Sequence, residues 1–96
     1  MIRVLIADDS AFMRKVLSDL FEKQSDFQVA GTAINGKDTV EKVKRLKPDL
    51  LTLDVMMPVM NGLDALAIIM DECPLPVVMV SSMTQEGADA TIRALA

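Results

Sequence analysis

Short apolar runs alternate with longer segments of helical period along the chain, and this alternation constrains the fold more than any other feature. Four short runs predict strands, at residues 2–7, 27–33, 49–53 and 77–80. Four segments of helical period predict helices, at residues 10–23, 37–47, 63–71 and 86–96. Strands that alternate with helices are joined by right-handed crossovers. The sequence therefore predicts an α/β fold, a parallel sheet with helices on both faces.

The helical segments also predict which side chains face the core. The first helix has an apolar stripe that runs from Phe12 to Phe21, with charged residues on the opposite side. On the third helix the residues expected to face inward are Leu63, Leu66, Ala67 and Met70. We expect both stripes to be buried against the sheet.

Composition excludes several classes of chemistry. The chain has 96 residues, enough for one domain, and a formal net charge of −4. It contains no histidine and one cysteine, so neither an imidazole-dependent site nor a cluster of paired thiolates can form within it. The acidic balance argues against nucleic acid as a partner, and no apolar run reaches the roughly 18 residues of a membrane helix. We therefore expect a cytoplasmic protein that binds neither nucleic acid nor membrane.

Acidic and hydroxyl side chains follow three of the four predicted strands. Asp8 and Asp9 follow the first strand, Asp54 follows the third, and Ser81 follows the fourth. Ligands of open parallel sheets bind outside the carboxyl ends of the strands. If the first and third strands are neighbours, the three carboxylates converge there. Oxygen ligands without histidine or thiolate suit Mg²⁺, which favours phosphate partners. Together, these residues predict a magnesium and phosphate site.

Each of these residues also has a simpler local interpretation. Asp9 or Ser10 alone is most simply the N-cap of the first helix, and Asp54 alone is a solvated strand end. Ser82 and Gln85 have the spacing of a capping box. Taken singly, the local interpretations are favoured, and only the combination of acids and hydroxyl at successive strand ends favours a functional site.

The motifs resemble those of a known family. The pair Asp8-Asp9, the segment from Leu53-Asp54 through Pro58 to Gly62, and a fourth strand that ends at Ser81 are similar to the receiver domains of two-component response regulators. The similarity extends over residues 1–96. It implies a flavodoxin-like sheet of strand order 2-1-3-4-5, and phosphorylation of an aspartate by a histidine kinase.

The resemblance also implies a role for each site residue. Asp54 is expected to be the phosphoacceptor and Ser81 to hydrogen-bond the phosphoryl oxygen. Mg²⁺ is expected to bind Asp9, Asp54 and the backbone carbonyl of Met56 directly, and Asp8 through water. Because the chain lacks histidine, the phosphoryl donor has to be another protein, here a chemotaxis histidine kinase.

A narrower resemblance concerns the protein-glutamate methylesterases of chemotaxis, the CheB family. It rests on three segments, namely residues 10–14, 52–54 and 79–95. In that family phosphorylation of the receiver relieves its block on a C-terminal methylesterase domain. The 96 residues themselves are expected to have no activity beyond self-phosphorylation, whereas a longer parent chain is expected to be the methylesterase. The alternatives are the receiver of a DNA-binding regulator, a receiver-like module without metal, and a magnesium-dependent phosphatase, against which the apolar Met56 argues.

The chain departs from the family pattern in its last part. A receiver has a fifth β-α unit, whose strand ends with a lysine that pairs with the phosphate, and neither is found by residue 96. We therefore expect residues 1–96 to be an incomplete receiver domain of strand order 2-1-3-4. Because the lysine is missing, we expect phosphoryl signalling to be impaired. Because the fifth strand is missing, we expect the fourth strand to form an exposed apolar edge through which copies of the chain self-associate.

Overall fold

The computed structural model describes residues 1–80 and 92–95. Three helices connect the first four strands in alternation, and a further strand follows. The strands are β1 (Ile2–Ala7), β2 (Phe27–Ala33), β3 (Leu50–Asp54), β4 (Val77–Val80) and β5 (Ile92–Leu95), and the helices are α1 (Ala11–Glu22), α2 (Gly36–Leu46) and α3 (Gly62–Glu72). The predicted elements up to residue 80 are confirmed, with their ends within one residue of the expected positions.

The order of strands in the sheet is β2-β1-β3-β4-β5. β1 lies parallel to both β2 and β3, and β3 lies parallel to β4. The predicted order 2-1-3-4 of a flavodoxin-like sheet is therefore confirmed. In the β1–β3 register Ala7 is opposite Leu53. An aspartate follows each of these two residues, so Asp8 and Asp54 lie side by side at the same edge of the sheet.

The prediction of a helix over residues 86–96 is wrong for residues 92–95, which form β5. This strand is antiparallel to β4, with Val77 opposite Leu95 and Val80 opposite Ile92. An edge strand exposes unpaired backbone N–H and C=O groups, and a following segment that pairs with it supplies hydrogen-bond partners for them. The edge of β4 on which the self-association prediction rested is thus paired within the chain. Residues 81–91 and 96 lie outside the described residues.

The hydrophobic core lies between the sheet and helices α2 and α3. Alternate residues of the strands point into it, and Val43 of α2 and Ile69 of α3 pack against them; the strand residues of this cluster are Leu5, Ala7, Ala33, Leu51, Leu53, Val77 and Met79. Cys73 packs against the cluster as a half-buried apolar residue, as a lone thiol commonly does.

Two helix faces differ from the predictions. No residue of α1 is buried, and its Phe12 is 73% exposed. Among the described elements α1 packs mainly on β1 and β2, and Phe12 and Leu20 of its apolar stripe stay exposed. On α3, Leu66 and Met70 pack against the core as predicted, whereas Leu63 and Ala67 are exposed and the buried residues are Gly62, Ala65 and Ile69. α3 is apolar on nearly all sides, so its periodicity predicts only part of the side that faces the core. Within the described residues, no helix is long and apolar enough to cross a membrane.

Candidate functional site

Three carboxylates converge at the carboxyl edge of the sheet. Each of Asp8, Asp9 and Asp54 contributes a carboxylate oxygen, and these oxygens all lie within 4.8 Å of one another. Asp8 is 2% exposed and Asp54 is 1% exposed, whereas Asp9 is exposed to solvent. The predicted convergence of these residues is therefore confirmed. Its structural cause is the pairing of β1 with β3, which brings their last residues together.

The surroundings of Asp8 raise the pKa of its carboxyl group above the ordinary value of 3.8. Burial has the largest effect, because it removes water from the charged form. The neighbouring charges of Asp54 and Asp9 act in the same direction, whereas a hydrogen bond from the Ser10 backbone and the charge of Arg14 oppose them. The site thus holds negative charge that a nearby cation would stabilise.

Local hydrogen bonds fix the position of Asp8. Its Oδ1 atom accepts a hydrogen bond of 2.9 Å from the backbone N–H of Ser10, and its backbone carbonyl accepts one of 2.9 Å from the guanidinium of Arg14. Ser10 is the N-cap of α1, and its hydroxyl accepts from the N–H of Met13 at 3.3 Å. Capping by Ser10 was one of the local interpretations open from the sequence, and it coexists with the acidic cluster.

The loop between β3 and α3 forms one wall of the site. The backbone N–H of Met56 points to Oδ1 of Asp54 at 3.4 Å. At the base of the loop, the N–H of Gly62 donates to the carbonyl of Val55 at 2.9 Å. Asn61 is the N-cap of α3, because its side chain accepts from the N–H of Asp64 at 2.8 Å. The Asn61-Gly62 pair therefore starts a helix as well as making a turn.

The tip of this loop is a strained three-residue turn. The N–H of Met60 donates to the carbonyl of Pro58 at 2.7 Å, and Val59 between them has φ 68°. Positive φ is unfavourable for a β-branched residue. The carbonyl of Met60 in turn accepts a hydrogen bond of 2.8 Å from the N–H of Gly36, the first residue of α2. The loop is thus attached to the rest of the domain at its base and at its tip.

The donor set of this site fits Mg²⁺. The cluster supplies carboxylate oxygens and, in the described part of the chain, no thiolate takes part in it. Hard divalent cations prefer such oxygen ligands. Backbone carbonyls of the adjacent loop, including that of Met56, are the further oxygen donors close in sequence. The residues present therefore fit a hard divalent cation such as Mg²⁺.

Of the two remaining sequence-predicted site residues, Ser81 and Met56, the structure describes Met56. Ser81 lies outside the described residues, as does the Ser82–Gln85 spacing. Met56 is in the loop beside Asp54, with its side chain 55% exposed. Its predicted role as a magnesium ligand through the backbone carbonyl stays a prediction.

Sequence reasoning did not find Arg14 or Gly36 as parts of the site. Arg14 lies in the segment 10–14 on which the narrower resemblance rests, but its contact with the Asp8 carbonyl depends on how α1 leaves β1. Basic residues are uncommon in the first turns of helices because the helix dipole disfavours them there, and this is the one signal the sequence offers. Gly36 makes its contact with Met60, which joins segments that are 24 residues apart along the chain.

Comparison with known proteins is consistent with this geometry. The family model for the response regulator receiver domain matches residues 4–96. A protein-glutamate methylesterase/protein-glutamine glutaminase from Pyrococcus horikoshii is 56% identical over 94 residues, which cover 98% of this chain and 26% of that protein. The chain therefore spans about a quarter of the length of this relative.

Solved structures give the same result for the fold. The response regulator domain of Thermotoga maritima CheB is 52% identical, with a TM-score of 0.85, over 95% of this chain and 66% of that one. The Borrelia burgdorferi CheX-CheY-BeF3-Mg complex is 35% identical to this chain, with a TM-score of 0.81, over 88% of this chain and 66% of that one. Both share the fold described above.

Proposed function

Since the chain belongs to the response regulator receiver domain family, we propose that Asp54 is its phosphoacceptor and that a phosphohistidine of a chemotaxis histidine kinase is the donor. The observation that carries this proposal is the convergence of Asp8, Asp9 and Asp54 within 4.8 Å at the carboxyl edge of the sheet. These 96 residues contain no histidine, so the donor histidine lies outside them. Because the Asp54 side chain is nearly fully buried, the donor approaches it from this edge.

In the transfer, a carboxylate oxygen of Asp54 attacks the phosphorus atom of the donor. A new P–O bond forms, and the P–N bond to the donor imidazole breaks, with its electron pair remaining on the nitrogen. The product is an acyl phosphate on Asp54 and a free histidine on the donor. Such transfers depend mainly on positioning and on stabilisation of charge at the phosphoryl oxygens.

We infer that Asp9, Asp54 and the backbone carbonyl of Met56 hold Mg²⁺ directly and that Asp8 holds it through water. When bound, Mg²⁺ neutralises charge that develops on the transferring phosphoryl group. The raised pKa of Asp8 supports this inference, since burial and the like charges of Asp54 and Asp9 disfavour its negative charge, which a cation would stabilise. The Borrelia complex, a structure of this fold that contains BeF3 and Mg²⁺, supports a site of this type here. For Ser81 we propose a hydrogen bond to the phosphoryl oxygen, on the resemblance alone.

Incubation with acetyl phosphate and Mg²⁺, followed by intact mass measurement, tests the proposal. The unsubstituted chain is expected to gain the mass of one phosphoryl group, and the Asp54→Asn variant is expected to gain none. Asp64→Asn is the matched control, because Asp64 is an exposed acid on α3 that is not a member of the cluster. Omission of Mg²⁺ is expected to abolish the gain. Equal labelling of the Asp54→Asn and Asp64→Asn variants would contradict the assignment.

For the parent protein we propose that this receiver controls a C-terminal protein-glutamate methylesterase domain in the cytoplasm. The 56% identity to a methylesterase over 98% of this chain supports that output. The test is methyl-ester hydrolysis by the full-length protein, with and without acetyl phosphate. Activation of the unsubstituted protein but not of its Asp54→Asn variant is expected, and equal activation of both would contradict regulation through Asp54.

A further inference from the structure

The first turn of α2 and the tip of the β3–α3 loop touch through backbone atoms at Gly36. Its N–H donates to the Met60 carbonyl at 2.8 Å. A Cβ atom at Gly36 would lie 2.2 Å from the Met60 carbonyl oxygen, 2.7 Å from its carbonyl carbon and 2.8 Å from its Cβ. Van der Waals contacts between such atoms ordinarily begin at about 3.4 Å. Any side chain at position 36 therefore has to displace one of the two segments.

The helix start is the less movable of the two. The side chain of Asn35 caps α2 by accepting from the N–H of Asp38 at 2.7 Å, and Asp38 in turn accepts from the N–H of Ile34 at 3.1 Å. The carbonyl of Asn35 accepts from the hydroxyl of Thr39 at 2.7 Å. Lys42 forms an ion pair with Asp38. This network fixes the residues on both sides of Gly36, so the displacement falls on the loop.

Met60 and Met56 lie in the same short loop, so a displacement at Met60 acts on the backbone that carries the Met56 carbonyl. The loop is closed at its base by the bond from Gly62 to Val55 and carries the strained turn at Val59 near its tip. Met57 between these points is buried in the core. A loop fixed at both ends and in the middle has few ways to absorb a shift of about 1 Å without changing the orientation of its peptide groups.

We propose that Gly36 is a positioning residue for the metal site. Its hydrogen bond to Met60, and the absence of a side chain, set the position of the Met56 carbonyl relative to Asp54 and thereby the affinity for Mg²⁺. The inference rests on the proposed function, because it assumes that the Met56 carbonyl is a magnesium ligand. Groups that orient direct ligands commonly change metal affinity by about 10-fold to 100-fold when they are altered.

Titration calorimetry with Mg²⁺ on the unsubstituted chain, Gly36→Ala and Gly31→Ala tests the proposal. Gly31→Ala is the matched control, because a Cβ there meets only the end of the Leu46 side chain at 3.0 Å and that of Leu5 at 3.8 Å. We expect Gly36→Ala to bind Mg²⁺ about 10-fold more weakly and Gly31→Ala to bind it with unchanged affinity. Equal affinities of all three chains would overturn the inference and leave the proposed function intact. No saturable binding by the unsubstituted chain would instead overturn the proposed function, and this inference with it.

A measurement on the unsubstituted chain keeps the proposal testable if Gly36→Ala does not fold. If the Gly36–Met60 hydrogen bond strengthens Mg²⁺ binding by some factor, bound Mg²⁺ has to stabilise that hydrogen bond by the same factor, because the coupling is reciprocal. Saturation with Mg²⁺ is therefore expected to slow amide hydrogen exchange at Gly36 about 10-fold. The control is the amide of Thr39, which donates to Asn35 within the same helix. Equal slowing of both amides, or no slowing at Gly36, would overturn the inference.

Discussion

Gly62 lies so close to Asp54 that a Cβ atom at position 62 would be 2.0 Å from the Asp54 carbonyl oxygen. The same atom would be 2.9 Å from the carbonyl carbon and 3.0 Å from the Cα of Val55. These are backbone atoms at the end of β3, which cannot rotate away as a side chain can. The first residue of α3 therefore packs directly on the backbone of the proposed phosphoacceptor.

This contact predicts that Gly62→Ala is strongly destabilising. Overpacking against backbone typically costs about 1–3 kcal/mol, and we expect a loss of about 2 kcal/mol or more in the free energy of unfolding. Urea unfolding followed by circular dichroism measures it. Gly31→Ala, whose added Cβ meets flexible side-chain ends, is expected to lose less. Equal losses for the two variants would contradict the close packing at Gly62.

The raised pKa of Asp8 predicts a pH dependence of stability. The unfolded chain releases this proton at a lower pH than the folded chain, so the contribution of Asp8 to stability is full below about 3.8 and is lost as the pH rises through the raised value. Asp8→Asn keeps the oxygen that accepts from Ser10 and removes the charge. Without Mg²⁺ we expect this variant to be more stable than the unsubstituted chain at neutral pH, by on the order of 1 kcal/mol, since like charges about 4 Å apart repel by about 1–4 kcal/mol.

Urea unfolding across the acid-to-neutral range measures the effect of Asp8→Asn. The gain in stability is expected to shrink as the pH falls and to disappear below about 3.8, where both states hold the proton. Addition of Mg²⁺ is expected to stabilise the unsubstituted chain more than the variant. A gain that is constant over the whole pH range would show that the charge of Asp8 is not its cause.

Substitution of Thr52 is expected to stabilise the folded chain. Thr52 is 4% exposed, and its hydroxyl has no hydrogen-bond partner among the described residues. Burying a hydroxyl without a partner costs about 1–3 kcal/mol. Thr52→Val preserves the shape and is expected to raise the free energy of unfolding by about 1 kcal/mol. Thr39→Val is the matched control and is expected to be destabilising, because the buried Thr39 hydroxyl donates to Asn35 at 2.7 Å. Destabilisation by Thr52→Val would contradict the prediction.

Substitution of Val59 is expected to stabilise the folded chain as well, because it relieves backbone strain. The φ of Val59, 68°, suits glycine, and the side chain is exposed. Residues held in such conformations commonly cost about 1–3 kcal/mol, part of which the flexibility of glycine in the unfolded chain offsets. We expect Val59→Gly to gain about 1 kcal/mol and Val59→Ala, which retains a Cβ, to gain less. Thermal unfolding measures both, and a lower stability of the Gly variant than of the Ala variant would contradict the strain.

Much of the fold follows from local pattern. Strands β1, β3 and β4 come from apolar runs that stop at Asp8, Asp54 and Ser81, and all four strands β1 to β4 end within one residue of where the sequence predicts. The acidic cluster was predictable too, because parallel strands bring their carboxyl ends to one edge. The pairing of β1 with β3 was the one assumption needed, and the register of Ala7 with Leu53 confirms it.

Other features depend on contacts that the sequence does not encode locally. Residues 92–95 have a helical period, yet they pair with β4 because that edge is available beside them. The contacts of Gly36 with Met60 and of Arg14 with Asp8 join segments whose approach depends on how α1 and α2 leave the sheet. The buried side of α3 was predicted only in part, with Leu66 and Met70 against the core but Leu63 exposed, since its apolar residues surround the helix.

Reductive trapping of the phosphorylated chain tests the assignment of Asp54 most directly. After incubation with acetyl phosphate and Mg²⁺, borohydride reduces an aspartyl phosphate to homoserine, and peptide mass spectrometry locates the change. We predict homoserine at position 54 and unmodified aspartate at Asp8 and Asp9. Homoserine at another position, or none at Asp54 in a chain that binds Mg²⁺, would contradict the assignment of Asp54 as the phosphoacceptor.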